Sequence, residues 1–130
     1  MNIEAGLRSF LLAAPALAAL VGPRVYGLLR PQTSDLPAAM IQRITTARQV
    51  LFCGTDKLVE VSLQVDAFAM TGDVAWGVAD ALRALLVDFT GMMGAVYVDQ
   101  CTLENEFPLV DPEPGIIRVT QLYHLWYVED

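Results

Sequence analysis

Between Lys57 and Phe89 the chain switches from a two-residue hydrophobic period to a helical one. Val59, Val61, Leu63, Val65 and Ala67 alternate with Glu60, Ser62, Gln64 and Asp66, the pattern of a strand with one buried face. Thr71-Gly72-Asp73 breaks that alternation and offers an N-cap. Beyond it Val74, Val78, Ala81, Leu82, Leu85 and Phe89 share one face of a predicted helix. A strand feeding such a helix calls for a sheet with a helix laid over it. The same spacing sets Trp76, Asp80, Arg83 and Val87 opposite the core stripe. A Trp and a Val on the outer side predict a surface that is covered, either by another subunit or by a loop of the same chain.

The flanking segments supply further elements. Ile3, Leu7, Phe10, Leu11 and Ala14 fall on one face of a helix from Ile3 to Leu12. Pro15 suits the first position of a second, short helix that runs through Val21 and ends at Gly22-Pro23. Ser9 to Val21, with Ala14-Pro15-Ala16, also looks like a signal sequence. Glu4 beside Arg8, and Pro15 inside the apolar run, argue instead for a folded helix. Arg24 to Arg30 reads as extended and Pro31 to Pro37 as a polar turn region. Ala38 to Thr46 reads as a strand anchored by Met40, Ile41 and Ile44. Thr45 to Lys57 is then a long connection carrying Val50, Leu51 and Phe52, three apolar residues in a row.

After the helix, Thr90-Gly91 and Gly94 mark a turn. Ala95 to Leu103 follows as a strand, with Val96 and Val98 on one face and Tyr97, Cys101 and Leu103 on the other. Ile116 to Val128, with Tyr123, Trp126 and Tyr127, is a closing strand. Glu104 to Gly115, with Pro108, Pro112, Pro114 and four acids, reads as a stiffened acidic hairpin loop. This order predicts one α+β domain over residues 1–130: a mostly antiparallel four-stranded sheet with helices packed on one face.

Composition adds a pull toward association. Hydrophobic residues make up 55% of the 130 and charged residues only 18%. The excess forms no run of ~20 apolar residues, so it predicts subunit contacts rather than a membrane span. The net charge of −7 is uneven. Residues 1–55 carry five arginines against Glu4 and Asp35, a balance of +3; residues 56–98 come to −4 and residues 99–130 to −6. One reading is an acidic, soluble surface. The other is a polar molecule whose ends attract each other's opposites, which favours head-to-tail association. With one lysine and no basic stripe, the chain is not built to grip nucleic acid.

No catalytic, cofactor or metal constellation stands out, and the chain does not read as an enzyme. The single histidine, His124, lies inside the last strand and leaves no His-based metal cluster; a Ser-His-Asp triad is arithmetically possible, but no strand–turn–helix places a serine at a nucleophile elbow. Gly91 and Gly94 flank Met92 and Met93 and precede a strand, so they form no phosphate loop. Glu104, Glu106, Asp111 and Glu113 could hold a cation, but a solvated loop explains them as well. Cys53 and Cys101 are lone thiols, read as reduced, with a bridge between them left open.

The opening Leu-Leu-Ala-Ala-Pro-Ala-Leu-Ala-Ala-Leu-Val-Gly-Pro-Arg-Val-Tyr, residues 11–26, resembles the start of the phage tail-component family that includes small tail-completion and tail-terminator proteins. Pro31, Leu36-Pro37 with Ile41-Gln42-Arg43, the Leu63-to-Phe68 strand, the Ala79-to-Arg83 helix and the Arg118-to-Tyr127 strand are similar to the family's later blocks. The Val50-Leu51-Phe52 stretch has no counterpart in that pattern.

The resemblance implies a structural protein of a long-tailed phage or gene transfer agent, cytoplasmic during assembly and then resident at the head–tail junction. Six copies would form a ring at the head-proximal end of the tail tube, meeting the major tail tube protein, the head connector or stopper, and DNA passing through the lumen. A connector-side stopper, or a small non-viral dimeric ligand-binding domain, remains an alternative. The interface candidates are Trp76, Val87, Val50, Leu51, Phe52, Glu104, Glu106, Asp111, Glu113, Arg43 and Arg48. Asp56, Glu60, Asp66 and Asp99 join the loop acids as candidates for a phosphate-repelling inner wall.

Overall fold

The computed structural model describes residues 3–27, 37–51, 54–94, 96–110 and 116–128, and gives the backbone course alone for 48–51 and 54–58. The elements are α1 (Ile3–Ala13), α2 (Pro15–Val21), β1 (Val25–Gly27), β2 (Ala38–Leu51), β3 (Gly54–Ala69), α3 (Gly72–Leu86), β4 (Gly91–Met93), β5 (Val96–Val110) and β6 (Ile117–Val128). The strands form one sheet in the order β1-β2-β3-β6-β5-β4. The β1–β2 pair is parallel and the other four pairs are antiparallel.

This corrects the four-stranded, mostly antiparallel sheet expected from sequence: the sheet has six strands, is mixed and curls into a half-barrel. The two strands not counted have three residues each: β1 lies inside the segment read only as extended, and β4 lies where a turn was expected. That is too short for any periodic signal to build.

Two expected loops are also strand. Thr45 to Lys57 is not a long connection, because β2 runs on to Leu51 and pairs with β3 as far as Leu51 with Gly54. Glu104 to Val110 is not a loop, because β5 continues beside β6 until Val110 meets Ile117. Both extensions pass through bulges, at Arg43/Thr45 and Arg48/Val50 on β2 and at Val98/Gln100 and Leu103/Asn105 on β5. An inserted residue shifts the alternation by one and hides the strand from a period-two reading. The first β5 bulge also returns Cys101 to the buried face with Val98, where unbroken alternation had set it opposite.

The core lies between one sheet face and the helix layer. Val59, Val61, Leu63, Val65 and Ala67 of β3 are buried, as are Val119, Tyr123 and Leu125 of β6. Over them lie Ile3, Leu7 and Leu11 of α1, Leu17 and Val21 of α2, and Val78 and Leu82 of α3. The helices α1 and α2 meet at 87°, and no single helix among the described residues is long and apolar enough to cross a membrane. Thr71 caps α3, its Oγ1 accepting from the Val74 amide at 3.3 Å. The helix ends at Asp88, whose φ of 61° is left-handed. There the Asp88 amide donates to the Cys101 carbonyl at 2.8 Å.

Two glycines should respond oppositely to alanine. A Cβ on Gly6 would stand 2.6 Å from the Met93 carbonyl oxygen, where α1 crosses β4, whereas one on Gly77 would meet nothing within 4 Å. Gly6→Ala should cost about 1–3 kcal/mol through forced backbone displacement. Gly77→Ala, in a helix interior, should gain about 0.5–1 kcal/mol. Urea unfolding of the two variants reads both signs.

Candidate assembly surfaces

Helix α3 is held in place by a polar network. Gln121 is buried on β6, and its Nε2 donates to the Ala79 carbonyl of α3 at 2.9 Å and to Glu106 Oε2 of β5 at 2.6 Å. Tyr123 Oη donates to Gln121 Oε1 at 2.8 Å. Arg83 of α3 then reaches Glu106 Oε1 at 3.0 Å and Asp80 at 2.6 Å. Gln121, Tyr123 and Glu106 each find a partner here, which makes the network an orienting device rather than a liability. The second β5 bulge turns Glu106 to the helix side, in register with Gln121.

The network corrects the expected core face of α3. Ala75, Val78, Ala79, Leu82 and Leu86 are buried, while Val74 is exposed and Ala81 and Leu85 are half-buried. The helix is rotated by roughly 75° from the hydrophobic-stripe expectation, at about 100° per residue. Ala75 and Ala79 face the sheet because small side chains bring the helix backbone within reach of Gln121. Trp76 (37% exposed) and Val87 (36%) are therefore on the flank of the helix and at its end, not centred on its outer side.

The sheet face opposite the helices is chemically mixed. Met92 pairs with Tyr97 across β4–β5, and Tyr97 pairs with Val128 across β5–β6. All three are exposed. Further along β6, His124 stands between two carboxylates: Nδ1 lies 2.9 Å from Glu104 of β5 and Nε2 lies 2.5 Å from Glu60 of β3. The Nε2 contact is close but not aligned for donation. The imidazole also stacks on Trp126, with ring centroids 5.6 Å apart. Asp66 is fully buried and accepts from Thr120 Oγ1 at 2.7 Å, so it is not a surface acid.

The remaining candidates fall as follows. Arg43 faces the helix layer from β2 and pairs with Glu4 of α1, with its Nη1 3.1 Å from Thr46 Oγ1. Arg48, Val50 and Leu51 lie on the last stretch of β2, where the backbone alone is described. Glu104 belongs to the sheet face with His124, whereas Glu106 belongs to the α3 network. Phe52, Asp111 and Glu113 lie outside the described residues, as does Cys53. Sequence reasoning missed the Met92–Tyr97–Val128 row because one member sits on a three-residue strand. It missed the Gln121 network because a buried Gln inside a strand carries no periodic signature. Among the described residues no His, Cys, Asp and Glu cluster has metal-binding geometry.

The profile of a known family, described as tail completion protein gp17, matches residues 5–128. The chain belongs to that family. It is thus a structural protein of the phage tail-completion type. The fold agrees: a chain in the virion of a native gene transfer agent particle superposes with a TM-score of 0.81 at 16% identity, covering 97% of this chain and 94% of that one. Among curated proteins none matches the sequence significantly.

The core beneath the network is alkali-sensitive. Burial, and secondarily the Asp88 charge, push the Cys101 thiol from 9.0 up to about 12. Burial likewise raises the Tyr123 phenol, with Cys101 and Glu106 adding to it. Both groups stay protonated in the folded chain at pH values where the unfolded chain has lost those protons. Stability should be level up to about pH 9 and fall as pH climbs toward 12. Urea unfolding across that range checks the trend, and Cys101→Ala should make the fall shallower.

Proposed function

We propose that the chain forms a closed ring of six copies at the head-proximal end of the tail tube. There it ends tube growth and joins tail to head. The observation that carries this reading is the uneven charge along the chain. Its N-terminal 55 residues are net positive and the rest strongly negative. Unlike charges favour a heterologous contact, which closes into a ring where the rotation between neighbours is a whole fraction of a turn. Exposed Trp76, Val74 and Met70 at the start of α3 supply apolar area for a neighbour or for the tube. A ligand-binding domain finds less support: the crevice lined by Leu7, Leu63, Val65, Leu86, Cys101, Tyr123 and Leu125 is too tight to hold a water.

DNA would pass through the lumen without being held. Glu60 and Glu104 on the open sheet face, with Asp99 on β5, are the described acids available to an inner wall. Fixed negative charge there repels phosphate, whereas each inward Lys or Arg would add a contact to be broken as DNA slides.

Trp76→Glu should leave a folded monomer, with a melting temperature within a few degrees of the natural chain, because Trp76 lies outside the core. The same variant should fail to complete particles. Normal particle yield from it, or outright unfolding, would count against α3 as an assembly surface.

A further inference from the structure

The sheet ends in two bare edges. β1 covers β2 only at Ala39–Ile41, and β4 covers β5 only at Val96–Val98. Among the described residues no other strand pairs with the outer sides of these strands; the Asp99 and Cys101 carbonyls accept from the Thr90 hydroxyl and the Asp88 amide, which leaves 42–51 on β2 and 102–110 on β5 without a strand partner. A bare edge of that length is a template for strand pairing.

Direction, charge and shape each fit the two edges to one another. Antiparallel pairing at β2–β3, β3–β6 and β6–β5 makes β2 and β5 run in opposite directions. A second copy set beside the first by rotation about an axis along the strands therefore brings β2 against β5 antiparallel, the more stable arrangement. The β2 edge carries Arg43 and Arg48 and no acid, while the β5 edge carries Asp99, Glu104 and Glu106 and no base. Like edges of two copies repel, and unlike edges attract. Since Arg43, Glu104 and Glu106 already have partners within the subunit, backbone pairing supplies the affinity and charge selects the edge.

The covering strands sit at opposite ends of the sheet. Ala38 is level with Phe68, Arg118 and Leu109, whereas Arg48 is level with Val59, Tyr127 and Val98. The bare parts of β2 and β5 therefore overlap as a lap joint once the neighbour is displaced along the strands. Strand tilt in closed sheets produces such a stagger. In that register exposed Leu109 and Val110, the latter 78% exposed, come alongside exposed Ile44.

We propose that the bare β2 edge of one copy pairs antiparallel with the bare β5 edge of the next, and that the ring closes through a succession of these joints. The inference rests on the ring reading above. Pro108 is the one residue of the two edges without an N–H to give.

Cysteine cross-linking of the full chain tests it. Ile44→Cys and Val110→Cys are combined with Cys53→Ser; buried Cys101 stays unreactive. Oxidation should give a ladder of covalent oligomers ending in one closed species. Higher oligomers in native mass measurements without cross-links overturn the joint and leave the ring reading standing. A chain that forms no oligomer, alone or on tail tubes, overturns both. Charge supplies a second measurement. Arg48→Glu and Glu104→Arg should each weaken self-association at least tenfold, and an equimolar mixture should restore it through alternating joints. A mixture that assembles no better than either variant overturns the pairing.

Discussion

Twelve consecutive residue pairs join β3 to β6, from Leu58 with Val128 to Ala69 with Ile117, without a register shift. Every other feature is referred to this spine. Because its period never slips, Val59 to Ala67 and Val119 to Tyr127 keep one face for the helices, while Glu60, His124 and Trp126 keep the other for solvent or partners. The strands outside it, β2 and β5, each carry two bulges. Irregularity is thus confined to the strands whose outer sides are bare, where bulges re-aim side chains without disturbing the core.

One of those re-aimed side chains orients the helix layer. With Glu106 turned inward, Gln121, Tyr123 and Arg83 find partners, and α3 settles with Ala75 and Ala79 against the sheet. That rotation decides which apolar residues remain outside. Val74 and Trp76 stand on opposite flanks of α3, and Val87 marks its end. Which apolar side chains of α3 stay exposed therefore follows from a polar contact inside the subunit.

The sequence was most legible where a period runs unbroken. The strand around Val61, the Thr71 cap, both N-terminal helices and the closing strand are where their residue patterns place them. It was least legible at β1 and β4, too short to show alternation, and beyond Arg43 and Leu103, where bulges reset it. The orientation of α3 was misread because apolar spacing cannot weigh Gln121 reaching the Ala79 carbonyl, a contact fixed by tertiary structure. Of the candidate site, the exposure of Trp76 and Val87 was legible; the separation of Glu104 from Glu106 onto opposite sheet faces was not.

On the proposed reading the subunit joins its neighbours in one way. The uneven charge along the chain and bare strands of opposite direction would serve that end through repulsion between like edges and attraction between unlike ones. Cryo-electron microscopy of intact particles tests this most directly by locating the chain on the tail axis. The prediction is a closed ring of identical copies at the head-proximal end of the tube, with unlike edges of neighbouring subunits in contact. Copies found singly, or elsewhere along the tail, or joined through like edges, would contradict it.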